Sequence, residues 1–243
     1  MAHPTAAMLV IGDEILSGRT QDANSHHLAN ILTGHGIQLK EVRVVGDEPS
    51  TIVSAVLALS SSFDHVFTSG GIGPTHDDIT ADCMADAFKR EIDVHPDAKA
   101  TLQAHYDRQG IELNAARLRM ARIPEGAILI ENPVSAAPGF TIENVHVMAG
   151  VPSIFKAMLE TILPNLTGGE PLLSETVSIM RGEGDIAGPL QELATDFPEL
   201  SFGSYPFQRN GAYGANVVLR GVSEEQLSSA RAKLIGIFAG SVS

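Results

Sequence analysis

Thr68 to Asp78 reads "TSGGIGPTHDD", directly after the apolar stretch "HVF". A turn from strand to helix needs one or two special residues; this one holds three glycines, a proline and two adjacent aspartates. Gly70, Gly71 and Gly73 permit positive φ and let backbone N–H groups approach a ligand with no Cβ in the way. The helix that follows adds partial positive charge at its N-terminus, so loop and helix together suit a phosphate. Pro74 and Thr75 belong to the same cradle. A tight turn closed by an aspartate helix cap explains one glycine and either Asp77 or Asp78. It leaves the second carboxylate unexplained, because adjacent anions repel unless a cation lies between them. The stretch lacks the Gly-Lys-Ser/Thr ending of a P-loop and the spacing of a GxGxxG dinucleotide fingerprint.

Two further acidic turns share the expected edge. "IGDEILSGRTQDAN" places Asp13 and Glu14 after the first strand, with Ser17 and Asn24 able to hydrogen-bond phosphate or ribose and Asp22 as a helix N-cap. "VVGDEPS" places Asp47 and Glu48 after the second. Asp47, Asp77 and Asp78 are therefore candidate hard-oxygen ligands for a divalent cation of the Mg²⁺ or Mn²⁺ type. Such a cation would also let an anionic rim accept a phosphorylated ligand. "NAARLRMARIP" brings Arg117, Arg119 and Arg122 together, and their spacing spreads them round a helix. Arg117, beside Asn114, is the expected phosphate clamp, with a surface salt bridge as its alternative. "NPVSAAPGF" (Asn132–Phe140) packs small residues between two strands; it either leaves room for a flat ligand, with Asn132 facing it, or builds a corner. His26 and His27 read as solvated or core residues, and Cys83 as a small buried one.

The elements that must position these groups alternate. "AAMLVIG" (Ala6–Gly12) is a continuous apolar run, as a strand buried on both faces should be. A helix with Leu28, Ile31 and Leu32 on one face follows and stops at Gly34 and Gly36. Strand Ile37–Val45, a helix N-capped by Ser50, strand His65–Ser69 and a helix within "DDITADCMADAFKR" complete βαβ units with a parallel sheet between helix layers. A helix runs from about Pro96 to Gly110, a strand over Ala127–Asn132, and a hairpin through "GFTIENVHVMAG" turning at Glu143-Asn144. Pro152 opens one more helix. "PNLTGGEP" (Pro164–Pro171) is the expected linker. Beyond it, β-α-β-β-α order describes a small domain whose first helix is interrupted by Pro189. The expected domains are 1–167 and 172–243.

Composition limits the partners. The chain has 243 residues, net charge −13, 44% hydrophobic residues and one cysteine. No Lys/Arg run offers a nucleic-acid patch, and a −13 surface repels phosphate backbones, so no nucleic-acid partner is expected. No apolar run reaches the ~18 residues of a membrane span, so no membrane partner is expected either. The Met-Ala-His-Pro start has no signal-peptide character, and with a single cysteine the expected compartment is a reducing cytoplasm.

"TSGGIGPTHDDIT", "GDEILSGRTQDANSHHLANIL" and "VVGDE" together resemble the molybdenum-cofactor-biosynthesis, or molybdopterin-binding, domain family (MogA/MoeA-like), in its CinA branch (competence/damage-inducible protein A). "NPVSAAPGF", "VMAGVPSI" and "GSYP" are similar to standalone members and to the molybdopterin-binding-like half of eukaryotic FAD synthases. The resemblance implies a three-layer α/β/α domain and a small α+β, KH-like domain. It implies a metal-dependent pyrophosphatase acting on ADP-ribose or FAD; for the more distant branch it implies binding or adenylylating molybdopterin. The implied cofactor is a divalent metal (Mg, Mn, Co or Ni), with or without a monovalent cation. The deamidase domain of full-length CinA has no counterpart before Ser243. "RGEGDIAG" has no GxxG loop, so KH-type RNA binding is not expected. Self-association as a homodimer is expected, from the family and from apolar faces around Phe202, Tyr205, Phe207 and Tyr213.

Overall fold

The computed structural model describes residues 3–209 and 211–242; positions 1, 2 and 243, the outer ends of the two expected domains, lie outside it. The chain forms two compact units, Met1–Gly169 and Glu170–Ser243.

The first unit opens with β1 (Thr5–Ile11), α1 (Asp13–Leu16), α2 (Asn24–Gly34), β2 (Gln38–Val45), α3 (Pro49–Ser62), β3 (His65–Ser69) and α4 (Thr80–Phe88). A short antiparallel pair, β4 (Ile92–Val94) and β5 (Arg122–Pro124), brackets α5 (Pro96–Gln109), α6 (Ala115–Leu118) and a 3₁₀ turn at Arg119–Ala121. Then come β6 (Ile128–Ile130), β7 (Gly139–Ile142), β8 (Val145–Met148) and α7 (Pro152–Ile162). The main sheet runs β2-β1-β3-β8-β7-β6. β2, β1, β3 and β8 are mutually parallel, while β7 is antiparallel to both neighbours. The sheet is therefore mixed, because the hairpin at Glu143 (φ 50°) inserts one reversed strand.

The continuous apolar run of β1 has its reason in the two layers. Ala7, Leu9 and Ile11 enter one core with α3 and α4, whereas Ala6, Met8 and Val10 enter the other with α2 and α7. Each of these six side chains is at most 3% exposed. A polar residue at any of them would bury an unpaired group.

The parallel strands all end at one edge. Gly12, Gly46, Gly70 and Gly150 leave the sheet there, with Gly12 N–H bonded to Val45 O and Gly70 N–H to Met148 O. β6 runs the same way, which brings the Asn132–Pro138 turn to that edge. Such an edge is where open α/β sheets bind ligands.

The second unit orders β9 (Leu173–Ile179), α8 (Glu183–Asp196), β10 (Ser201–Arg209), β11 (Ala212–Gly221) and α9 (Glu224–Ile237) into an antiparallel sheet β10-β11-β9. Val177, Ala215, Val217 and Leu219 form its core with Ile186, Leu193, Leu227 and Leu234 of the two helices. Pro189 lies inside an unbroken α8, not at an interruption. No helix among the described residues is long and apolar enough to cross a membrane.

Candidate functional site

The glycine loop is held from below by contacts that admit no side chain. Gly70 has φ 110°, and a Cβ there would stand 2.1 Å from the Ile11 carbonyl oxygen. Gly71 has φ 69°, and its Cβ would stand 2.1 Å from Thr80 Oγ1. Thr80 closes the loop: its hydroxyl donates to Gly70 O and its N–H to Gly71 O, both at 2.9 Å. Helix α4 thus begins at Thr80, with Ile79 as N-cap and no side-chain cap. Neither Asp77 nor Asp78 is a helix cap.

Asp78 has a different task. Its Oδ2 accepts from Thr75 N–H at 2.8 Å and from the Thr75 hydroxyl, which closes a Thr75–Asp78 turn. Among the described residues no donor reaches its Oδ1. Asp77 stands exposed beside His76, 3.8 Å from the imidazole. Its carboxyl is held below the ordinary range, first by the Thr75 side chain, then by its own backbone N–H and by His76. The Thr75 hydrogen bonds run to Asp78, so Asp78 is the fixed carboxylate and Asp77 the exposed one.

The other acidic turns are tied to each other. Asp47 Oδ2 accepts from Asp13 N–H at 3.0 Å, and Asp13 Oδ1 accepts from Asp47 N–H at 3.4 Å. Among the described residues no three His, Cys, Asp or Glu side chains converge as a ready metal cluster. Ser17 is exposed at the end of the short α1. Asp22 accepts from the N–H groups of Asn24 and Ser25, as a capping residue does. Asn24 is buried; its amide donates to Ser69 Oγ at 2.7 Å and Gly150 O at 2.8 Å, while its Oδ1 has no protein partner. It fastens α2 to the ends of β3 and β8. Ser50 is not the cap of α3, whose first position is Pro49.

Asn132 holds its own turn. It accepts from Val134 and Ser135 N–H and donates to Ser135 Oγ and Ala137 O. With all four polar valences used internally, it shapes its own turn.

A narrow cleft runs beside the loop. It is lined by Gly71, Ile72, Gly73 and Asp78 of the loop, Ala81 and Asp82 of α4, Arg119, Met120, Arg122 and Ile123, and Pro138 with Phe140. Arg117 is absent from it. Its guanidinium lies 5.1 Å from the Tyr106 ring centroid and donates to Glu112 O. Arg119 and Arg122 are the basic residues of the cleft, and the chain breaks into a 3₁₀ turn and a strand where the sequence reading expected one helix. Helical spacing misled there; the signal that could have corrected it is Pro124, which cannot continue a helix interior. A roomier apolar groove of about 480 Å³ lies in the second unit against Ile186, Leu190 and Phe202. The narrow cleft is the better candidate, because the glycine loop, the carboxylates of Asp78 and Asp82 and the guanidiniums of Arg119 and Arg122 converge on it; Asp77 is not among its lining residues.

The comparisons place the fold in a known family. Residues 7–168 match the family described as "Probable molybdopterin binding domain", and residues 171–242 match "FAD synthase, middle domain". A probable FAD synthase of Caenorhabditis briggsae is 31% identical over 98% of this chain and 50% of its own length. A CinA-like protein of Desulfosudis oleivorans is 36% identical over 66% of this chain and 40% of its own. The chain thus spans half or less of these two relatives. Among solved structures, a protein CinA from Thermoplasma acidophilum, described as of unknown function, has 34% identity and a TM-score of 0.62, covering 68% of this chain and 99% of that one. This chain belongs to the molybdopterin-binding domain family, in the company of CinA-like proteins and FAD synthases.

Proposed function

We propose that the chain hydrolyses the diphosphate linkage of a nucleotide such as ADP-ribose or FAD, with Asp77 and Asp78 as the catalytic carboxylates. One observation carries the reading: Thr75 fixes Asp78 at the mouth of a glycine loop whose backbone faces a cleft with two guanidiniums. The loop would receive phosphate oxygens. Arginine opposite would offset charge that the carboxylates cannot.

The donor set fits a divalent metal of the Mg, Mn, Co or Ni type. Asp77 and the unbonded Oδ1 of Asp78 are hard oxygens, and an ion that keeps several waters needs only one or two carboxylates plus substrate phosphate oxygens. Asp47 would contribute only by releasing Asp13. Bound there, such an ion supplies charge neutralisation and an acidified water. Asp78 keeps its orientation through Thr75, Asp77 adjusts, and Asn24 keeps α2 against the loop. Asp13, Ser17 and Asn132 shape the rim.

AMP release from ADP-ribose or FAD, measured with each of the four metals, tests the proposal. Silence across the whole panel ends it. The family description favours a second reading, binding or adenylylation of molybdopterin at the same loop. Stoichiometric molybdopterin binding that survives chelation would support that reading over hydrolysis. A homodimer in the cytoplasm completes the proposal; Tyr205 and Tyr213 of the second unit are 48% and 71% exposed. Sedimentation as a monomer at micromolar concentration would remove the dimer.

A further inference from the structure

We infer that Arg119 is the residue that receives an oxyanion of the ligand in the glycine-loop cleft. The inference deepens the functional reading above and rests on it for the ligand class, a nucleotide diphosphate.

The three arginines of the stretch have different fates. Arg122 forms a two-pronged pair with Asp82, at 2.7 and 2.8 Å, which uses its fork on a carboxylate. Arg117 lies over Tyr106 and bonds Glu112 O, outside the cleft. Arg119 alone lines the cleft without a carboxylate partner. Of its five donors, only one finds an acceptor among the described residues, Asp78 O at a long 3.4 Å. Its Nε is buried with no protein acceptor at all.

A half-buried guanidinium with unused donors is an unfavourable arrangement by itself. A buried donor without a partner has lost its water and gained nothing in return, and the same fork suits a phosphate oxyanion in two-pronged geometry. Of the two carboxylates that line the cleft, Asp82 is taken up by Arg122, and Asp78 meets Arg119 only through its backbone carbonyl oxygen. The bond to Asp78 O sets the cation beside the Thr75–Asp78 turn, in the cleft that Gly71 and Gly73 also line.

The test is calorimetric binding of α,β-methylene-ADP, which cannot be cleaved at its bridge, in Mg²⁺ buffer, with adenosine as the phosphate-free comparison. Arg119→Gln should weaken the analogue about 100-fold, and Arg119→Lys, which keeps charge but loses the fork, about 10-fold. Adenosine affinity should stay unchanged in both. Arg108→Gln, an exposed arginine bonded only to Ala104 O, serves as the control with wild-type binding. Undiminished affinity in either Arg119 variant overturns the assignment. So do equal losses for analogue and adenosine, which would make Arg119 a brace of the loop. If Arg119→Gln does not fold, Arg119→Lys decides alone. Wild-type protein that binds the analogue through Arg119 yet releases no AMP from ADP-ribose or FAD would end the hydrolysis reading and leave this one standing.

Discussion

Asp13 and Asp47 accept each other's backbone N–H, at 3.4 and 3.0 Å, and so join the turns after β1 and β2 into one rim. Two carboxylates are tolerated here because each faces an amide dipole. Their residence next to one another is a matter of backbone construction first. A Cβ at Gly46 would stand 2.5 Å from Asp13 Oδ1, so that glycine is required for the exchange.

Substitution separates this brace from chemistry. Asp47→Ala removes the acceptor for Asp13 N–H and should lower stability by about 1 kcal/mol, a fall of ~2–4 °C in Tm for a chain of this size. Asp47→Asn retains an acceptor oxygen and should melt near wild type. If Asp47→Asn keeps full AMP-releasing activity, Asp47 is a brace only; loss of activity at unchanged Tm would make it a metal ligand as well.

The Thr75–Asp78 turn gives a sharper pair. Asp78→Asn keeps one oxygen for the Thr75 donors and removes the charge, so the fold should persist and turnover should fall at least 100-fold. Gly73→Ala leaves the carboxylate but would set a Cβ 2.6 Å from Asp78 Oδ2, displacing it. The same loss of turnover is expected, with Tm within a few degrees of wild type. An active Asp78→Asn protein would remove Asp78 from the catalytic assignment, whatever Gly73→Ala does.

Gly71 should behave in the opposite way. A side chain there meets Thr80 Oγ1 at 2.1 Å in a left-handed conformation (φ 69°). Gly71→Ala therefore breaks the Thr80 closure and should cost about 1–3 kcal/mol from backbone strain, seen in urea unfolding. A wild-type midpoint would mean that the loop relaxes freely and that Gly71 serves the ligand, not the packing.

These contrasts show how much of the site the sequence carried. The continuous apolar run of β1 and the alternation of strands and helices are local signals, and they located the edge where the loops gather. Which donors meet which acceptors is not local. Asp13 and Asp47 are far apart in sequence, and nothing in "GDE" repeated twice says that the two turns will trade amides. The third helix was expected to begin near Asp77, whereas Thr80 starts it, because Thr80 is needed at Gly70 and Gly71 across the loop. Proximity to Asn114 points to Arg117, but Asn114 only caps α6, and Arg119 and Arg122, in the 3₁₀ turn and β5, are the arginines that line the cleft. The reversed strand β7 had a visible cause in its hairpin.

The last prediction concerns the opposite edge of the sheet, where a buried imidazole fixes how the protein responds to acid. His146 is 7% exposed, stacked on His65 at a centroid distance of 5.7 Å and close to Phe67 at 5.0 Å. Thr167 O can only accept, so His65 Nε2, 3.2 Å away, carries the proton and its Nδ1 is the acceptor for His146 Nε2–H at 3.4 Å. The Thr141 hydroxyl then donates to His146 Nδ1 at 3.0 Å. Every polar atom of the pair is satisfied with both rings neutral. Burial, then the charge of His65, push the His146 pKa down from 6.5 to about 4. Between those values the unfolded chain binds a proton that the folded chain does not, so stability rises with pH from about 4 to 6.5 and is lost as pH falls through that window. The full effect is ~3 kcal/mol. Urea unfolding at several pH values should show this slope beyond that of the carboxylates, and His146→Gln should flatten the difference. Parallel pH profiles for the two proteins would mean that His146 accepts its proton in the folded state as readily as in the unfolded one.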